Sequence, residues 1–331
     1  MCISVLSTAH PQYALVLISN RDEFVHRPTL RADWWDPPHQ QVLGGRDLQR
    51  QERGTWLGIT KQGRIAILTN FREEGVNENG QKSRGAMVNS YLTVPPDVHE
   101  SEDEFAQRLI NNVGIHDVGG FTLLFGKLER PKSHNEPSEA KDLPGLAVIS
   151  NRTDSAKGLR RIATKIGETH GLSNSHYGDN TWPKVVNGEK KLMQAISDDI
   201  PRNDSQSEFV EDLLAILCDD SLPDRRNDET WDEYVRHMRK SIMIPAIKGK
   251  AAHQSPDAQP DNGDRSLVPG SLKLTPGVGA YGTTKQTVIL VDHEGMVTFV
   301  ERTLYDDSGA PLPNHERDRR IEFKIEGWER Q

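Results

Sequence analysis

The chain opens on a short alternating run, CISVL, with Ile3 and Val5 on one face. His10-Pro11-Gln12 breaks it as a turn, and YALVLIS follows as a continuous apolar run. Such a run, bounded by turn residues, fits a strand buried on both faces. The pair predicts a hairpin that carries the polar end, ISNRDEF, back towards residue 2. TWLGIT and RIAILTN predict a second hairpin around Lys61-Gln62-Gly63, with Gly63 able to take a positive φ. FTLLFG (121–126) and LAVISN (146–151) add two strands across a polar, solvated loop. TVILVDHEGMVTFVERT predicts two more around a His-Glu-Gly turn, and the alternating RIEFKIEGW predicts a last one.

Helical spacing is rarer. Phe105, Leu109 and Ile110 share a face over Ser101 to Asn112, with Ser101 placed as an N-cap. Val185, Leu192, Met193 and Ile196 do the same over Lys184 to Ile196. Ser205 to Cys218 opens with a capping-box pattern, Ser205 and Glu208, and continues with Phe209, Leu213, Leu214 and Leu217. Strands, then helices, then strands predict an α+β fold with layered sheets. The expected organisation is one domain over 1–331, with a mobile loop rich in Pro, Asp, Gly and Ser at about 250–270.

Composition narrows the function. The 331 residues carry a formal charge of −8, with both signs mixed along the chain, so no nucleic-acid surface is expected. Two cysteines, Cys2 and Cys218, make no disulfide framework and suit a reducing compartment. The apolar run Ala14 to Ile18 is too short for a signal or a membrane span, and no other stretch is long enough to span a bilayer. Of the 12 histidines none falls in H-E-x-x-H, and no cysteine pair supports zinc, so no metal site is expected. Phosphate-binding, dinucleotide and G-x-S-x-G patterns are absent as well.

Cys2 is the residue whose position asks for chemistry. Read as packing, it is a buried thiol like most free cysteines. Read as chemistry, removal of Met1 would put a thiol and a free α-amine on one residue. The amine, with a reference pKa of about 7.7–8.0, can then act as general base for the thiol. Asn20-Arg21-Asp22-Glu23 is either a solvated strand end or, across the hairpin, a set of partners for Cys2. A cation there favours thiolate and a carboxylate orients the amine, which selects Arg21 and Asp22. Asn70 and Asn174 read as turn residues or as neutral donors to an oxyanion.

MCIS, LISNRDEF, VLGGRD, GTWLGIT, AILTNFRE, GLSN and YGTTKQTVILVD with VTFVERT occur in this order from residue 1 to about 303. Together they resemble the NRDE family, which includes the transport and Golgi organization 2 proteins. The resemblance implies an N-terminal-nucleophile-hydrolase-like fold, a four-layer αββα sandwich of two packed antiparallel sheets. It makes Cys2 the nucleophile position and Asn20 to Glu23 the family signature; Lys184, in TWPKV, matches a recurrent family segment. A more distant likeness, to choloylglycine and penicillin V acylase-type cysteine hydrolases, implies an Arg-x-x-Asp pair on the second strand. Here Asn20 and Glu23 stand in that spacing, or Arg21 and Asp22 in a shifted register, and a one-residue shift turns a side chain to the other face.

Family members are associated with secretion, Golgi organization, cytoplasm and mitochondria, and with haem trafficking and lipid or acyl-CoA metabolism. The expectation is a cytoplasmic protein, peripherally at the Golgi apparatus or mitochondrion, with a cleft around Cys2. In one reading it hydrolyses an amide or thioester. Cys2 attacks, its α-amine moves the proton, Asn70 and Asn174 hold the oxyanion, Arg21 and Asp22 tune the nucleophile, and Asn20 and Glu23 contact the substrate. No cofactor is needed. In the other reading the same cleft is a non-catalytic carrier site for haem, a lipid or an acyl-CoA.

Overall fold

The computed structural model describes residues 1–70, 83–113, 115, 118–130, 143–202, 204–226, 228–247 and 279–328. The loop expected at 250–270 lies outside them. In chain order the first strands are β1 (Ile3–Ser7), β2 (Tyr13–Phe24), β3 (Thr29–Trp34), β4 (Val42–Asp47), β5 (Leu57–Thr60) and β6 (Arg64–Asn70). Helices α1 (Arg84–Leu92) and α2 (Glu102–Arg108) follow, the second running into a π-turn over Leu109–Val113. Then come β7 (Phe121–Lys127), β8 (Leu146–Ser150), β9 (Arg160–Ile162), β10 (Thr169–Ser173), α3 (Pro183–Arg202), α4 (Gln206–Leu217) and α5 (Trp231–His237). The chain closes with β11 (Tyr281–Asp292), β12 (Met296–Thr303), α6 (Asn314–Arg317) and β13 (Asp318–Lys324).

The strands form two antiparallel sheets. The first has order β10-β1-β2-β11-β12-β13, the second β3-β4-β5-β6-β7-β8-β9. Alternation explains why both tolerate continuous apolar runs. On β2, Leu15 and Leu17 face the second sheet, while Val16 and Ile18 face α3 and α4. On β6, Ile65 and Ile67 meet the first sheet, while Ala66 and Leu68 pack on α1 and α2. Three apolar cores therefore separate four layers, helix–sheet–sheet–helix, which is the αββα layering the resemblance implied. Among the described residues no helix is long and apolar enough to cross a membrane.

Both predicted hairpins form, with Ile3 opposite Asn20 in the first and Gly63 at φ +82° in the second. Ser101 and Ser205 cap α2 and α4 in complete capping boxes. α3 extends past both predicted ends, to Pro183 and Arg202. Edge strand β13 turns Asp318, Arg320, Glu322 and Lys324 outward and packs Ile321 and Phe323 inward, with Arg319 on that inner face paired to Asp33 of the second sheet, which protects the open edge.

The two longest strands position the site. β2 and β11 each span 12 residues, apolar in one half and polar in the other. Antiparallel pairing lays the polar halves side by side: Asn20 against Gln286, Arg21 against Lys285, Asp22 against Thr283 and Glu23 against Gly282. Nearly all of this polar ladder is buried. The register extends β1 so that Cys2 falls opposite Arg21 and Met1 opposite Asp22.

Candidate functional site

Asp22 is the centre of the cluster. Its side chain is fully buried on the helix-facing side of β2. Oδ1 accepts a hydrogen bond from the Thr283 hydroxyl at 2.7 Å. Oδ2 faces two cations: the Met1 α-ammonium at 3.1 Å and the Lys184 ammonium at 3.7 Å. The Met1 ammonium also donates to the Tyr281 hydroxyl, and Lys184 donates to the Met1 carbonyl. Met1 is thus held at its amine and at its carbonyl.

α3 delivers Lys184. Pro183 stands at its first position, where a missing N–H costs nothing. One turn on, Gly188 faces β1; a Cβ there would lie 2.9 Å from Val5 Cγ2 and 3.2 Å from Ile3 Cδ1. The bare glycine lets the helix close on the strand, and residues four apart share a face. Lys184 therefore projects into the sheet rather than to solvent, and its side chain is 0% exposed.

Burial dominates the electrostatics. It pushes the Met1 amine and the Lys184 amine below their ordinary ranges, and Asp22 offsets part of each shift. It pushes the Cys2 thiol up, with the Met1 ammonium pulling partly back. Tyr281 lies well above the ordinary phenol range, through burial and the Asp22 charge. The half-buried Cys2 approaches the Asp22 carbonyl, Sγ to O 3.8 Å, and its own carbonyl accepts from the Ser173 hydroxyl at 2.6 Å. With Met1 attached, the thiol is protonated at neutral pH.

The other expected residues divide by sheet face. Arg21 points between the sheets: its guanidinium lies 4.4 Å over the Trp56 ring, 3.1 Å from Asp47 and 3.2 Å from the Thr284 hydroxyl. Glu23 joins it there, 3.9 Å from Arg21 and 3.7 Å from Arg27. Arg21 and Asp22, expected to act on Cys2 together, therefore approach it from opposite faces. Asn20 was expected to touch substrate. It is 0% exposed, and its amide donates to the Leu217 and Ile242 carbonyls at 2.8 and 3.0 Å. That contact fastens the helical layer to the sheet and leaves no surface for a ligand.

Asn70 and Asn174 do meet. The Asn174 amide donates to the Asn70 carbonyl, and the side-chain oxygens of both are buried without a donor. Ser173 pairs with Ile3, so Asn174 stands beside Cys2 on the neighbouring strand. The structure thus gathers Cys2, Asp22, Asn70 and Asn174 at one end of the sandwich. Sequence reasoning missed Tyr281 and Thr283, and noted Lys184 without a role. The polar half of a buried twelve-residue strand was the signal for the first two.

A family model described as "Transport and Golgi organisation 2" matches residues 1–306. The "Transport and Golgi organization protein 2 homolog" of Bos taurus is 30% identical over 88% of this chain and 87% of its own. Its Homo sapiens counterpart is 26% identical over 95% and 94% respectively. Among solved structures, the Caenorhabditis elegans N-acylethanolamine-hydrolyzing acid amidase ortholog superposes with a TM-score of 0.39 at 13% identity, covering 72% of this chain and 98% of that one. A match across nearly the whole length, motif order included, means that this chain belongs to the Transport and Golgi organisation 2 family.

Proposed function

We propose that the chain is an N-terminal cysteine hydrolase of amide or thioester bonds, active once Met1 has been removed, in the transport and Golgi setting that its relatives' names carry. The observation behind this reading is the buried Asp22–Lys184 pair at the Met1–Cys2 peptide bond. Two cations share one carboxylate there, and Asp22 Oδ2 makes no well-formed hydrogen bond with either while Met1 is present. Removing Met1 places the Cys2 α-amine beside the same two groups. A buried site with one carboxylate disfavours two ammonium ions, so one amine is held neutral. A neutral α-amine is the base the thiol needs.

The steps then balance. The α-amine takes the Cys2 proton as sulfur bonds to the substrate carbonyl carbon, and the carbonyl π pair moves to oxygen. Asn70 and Asn174 are the assigned donors to that oxyanion, Asn174 through the amide proton that its bond to the Asn70 carbonyl leaves over. The tetrahedral intermediate collapses, the carbon–nitrogen or carbon–sulfur bond breaks, and the ammonium returns its proton to the leaving group. Water attacks the acyl-cysteine by the same route and releases a carboxylic acid and the free thiol. By analogy with other oxyanion donors, loss of Asn174 should slow turnover about 10²–10³-fold.

The test is acylation by an activated acyl ester, read by intact mass on Met1-free protein. Wild type should gain one acyl group on residue 2, and Cys2→Ala should gain none. Equal labelling of the two proteins would refute the proposal. Binding of haem or lipid without acylation would favour the carrier reading.

A further inference from the structure

Met1 is seated like a ligand. Its side chain is only 16% exposed and packs on an apolar group whose buried members are Met238, Ile244 and Tyr281, with Phe24 beside them. The Phe24 and Tyr281 rings meet edge to face at 5.4 Å and wall one side. Its carbonyl accepts from Lys184 and its ammonium lies against Asp22 and Tyr281. The occupant, chemically, is an aminoacyl group: an unbranched apolar chain and a carbonyl joined to the Cys2 nitrogen, with an α-ammonium that Asp22 and Tyr281 hold.

Removal of Met1 empties that seat. The walls come from β2, β11 and the segment after α5, all held by the buried ladder, so they do not collapse with the loss of one residue. A dry apolar hollow in a rigid frame takes an apolar guest. Asp22 then stays the counter-ion of the Lys184 ammonium, beside the neutral Cys2 amine, which leaves the apolar walls and the Lys184 proton that now bonds the Met1 carbonyl facing whatever enters. That pairing suits an acyl chain with a carbonyl and disfavours a second free ammonium, because the one carboxylate is engaged.

We infer that the Met1 seat becomes the acyl-chain subsite of the Met1-free protein, sized for an unbranched apolar acyl group of methionine's length. Hexanoyl matches methionine atom for atom from carbonyl to methyl. The inference rests on the hydrolase reading for why the carbonyl approaches Cys2, but binding itself needs no turnover.

The experiment uses Cys2→Ala protein, which cannot be acylated at residue 2, in two forms: Met1-free, and Met1-retaining from cells treated with a methionine aminopeptidase inhibitor. Calorimetry follows acetyl, butyryl, hexanoyl and decanoyl thioesters of N-acetylcysteamine. Met1-free protein should bind with affinity rising roughly fourfold per methylene to hexanoyl, and no further to decanoyl. Met1-retaining protein should bind each at least tenfold more weakly, and Ile244→Trp, which fills the seat, should do the same in the Met1-free form. Equal affinity in the two forms, no dependence on chain length, or no binding to the Met1-free form overturns the inference. Chain-length-dependent binding by Cys2→Ala beside a wild type that is never acylated would overturn the hydrolase reading alone.

Discussion

The two ends of the β2–β11 ladder are built alike and filled oppositely. At one end Leu15 to Ile18 pair with Val288 to Val291, all buried and apolar on both faces. At the other, Asn20 to Glu23 pair with Gly282 to Gln286, just as buried and almost wholly polar. The backbone bonds are the same, so only the side chains distinguish the ends. The apolar end gains from each group it hides from water. The polar end must answer every buried donor and charge with a partner, and replacing such a network by hydrocarbon is often neutral or stabilising. Its concentration at the residue-2 end is what the proposed chemistry at Cys2 calls for and what stability alone does not.

The comparison can be broken by deleting from each end. Asp22→Asn should have the largest effect. It strands two buried cations, and breaking such a pair costs about 3–5 kcal/mol, read as a lower urea midpoint. It should also abolish Cys2 acylation in the molecules that remain folded. Leu17→Ala, at the apolar end, should cost about 2–5 kcal/mol through cavity formation. Acylation per folded molecule should stay at the wild-type level. Comparable loss of reactivity from both substitutions would mean that the ends are one cooperative unit and not two.

The smallest effect sharpens the electrostatics. Lys184 has its amine lowered by burial, so the folded chain binds its proton less readily than the unfolded chain does. Stability from this group is present above its unfolded pKa and is lost as pH falls through the folded value, with a slope of up to about 1.4 kcal/mol per pH unit. Lys184→Met should flatten that part of the urea-midpoint profile below about pH 10.4. An unchanged profile would show that another amine carries the linkage.

Much of this fold is legible because its patterns are local. Capping boxes at Ser101 and Ser205 and the two tight hairpins declare themselves within a few residues. β10 does not, since THGLS has little apolar character and owes its place to β1. α1 was missed because its apolar residues follow a glycine, Gly85, whose value is a close approach to Gly54 far off in sequence. The site divides the same way. Position 2 singled out Cys2, and the hairpin brought Asp22 to it. Alternation puts Asp22 on the face of Asn20 and Arg21 on the other; which of the two faces turns to the helices is a matter of register, which the segment alone leaves open. Lys184 reads as an ordinary helix lysine; its complete burial depends on how closely α3 meets the sheet.

That closeness has a consequence of its own. With no side chain at Gly188 the helix rides at the limit of contact on a stiff, branched valine. Even one added methyl would have to lever the helix outward, and the ammonium a turn away would swing with it. The place of the Lys184 ammonium against the chain's first residues is thereby geared to one hydrogen atom at Gly188, a sub-ångström adjustment screw that evolution or an engineer could turn without touching a single polar group of the cluster.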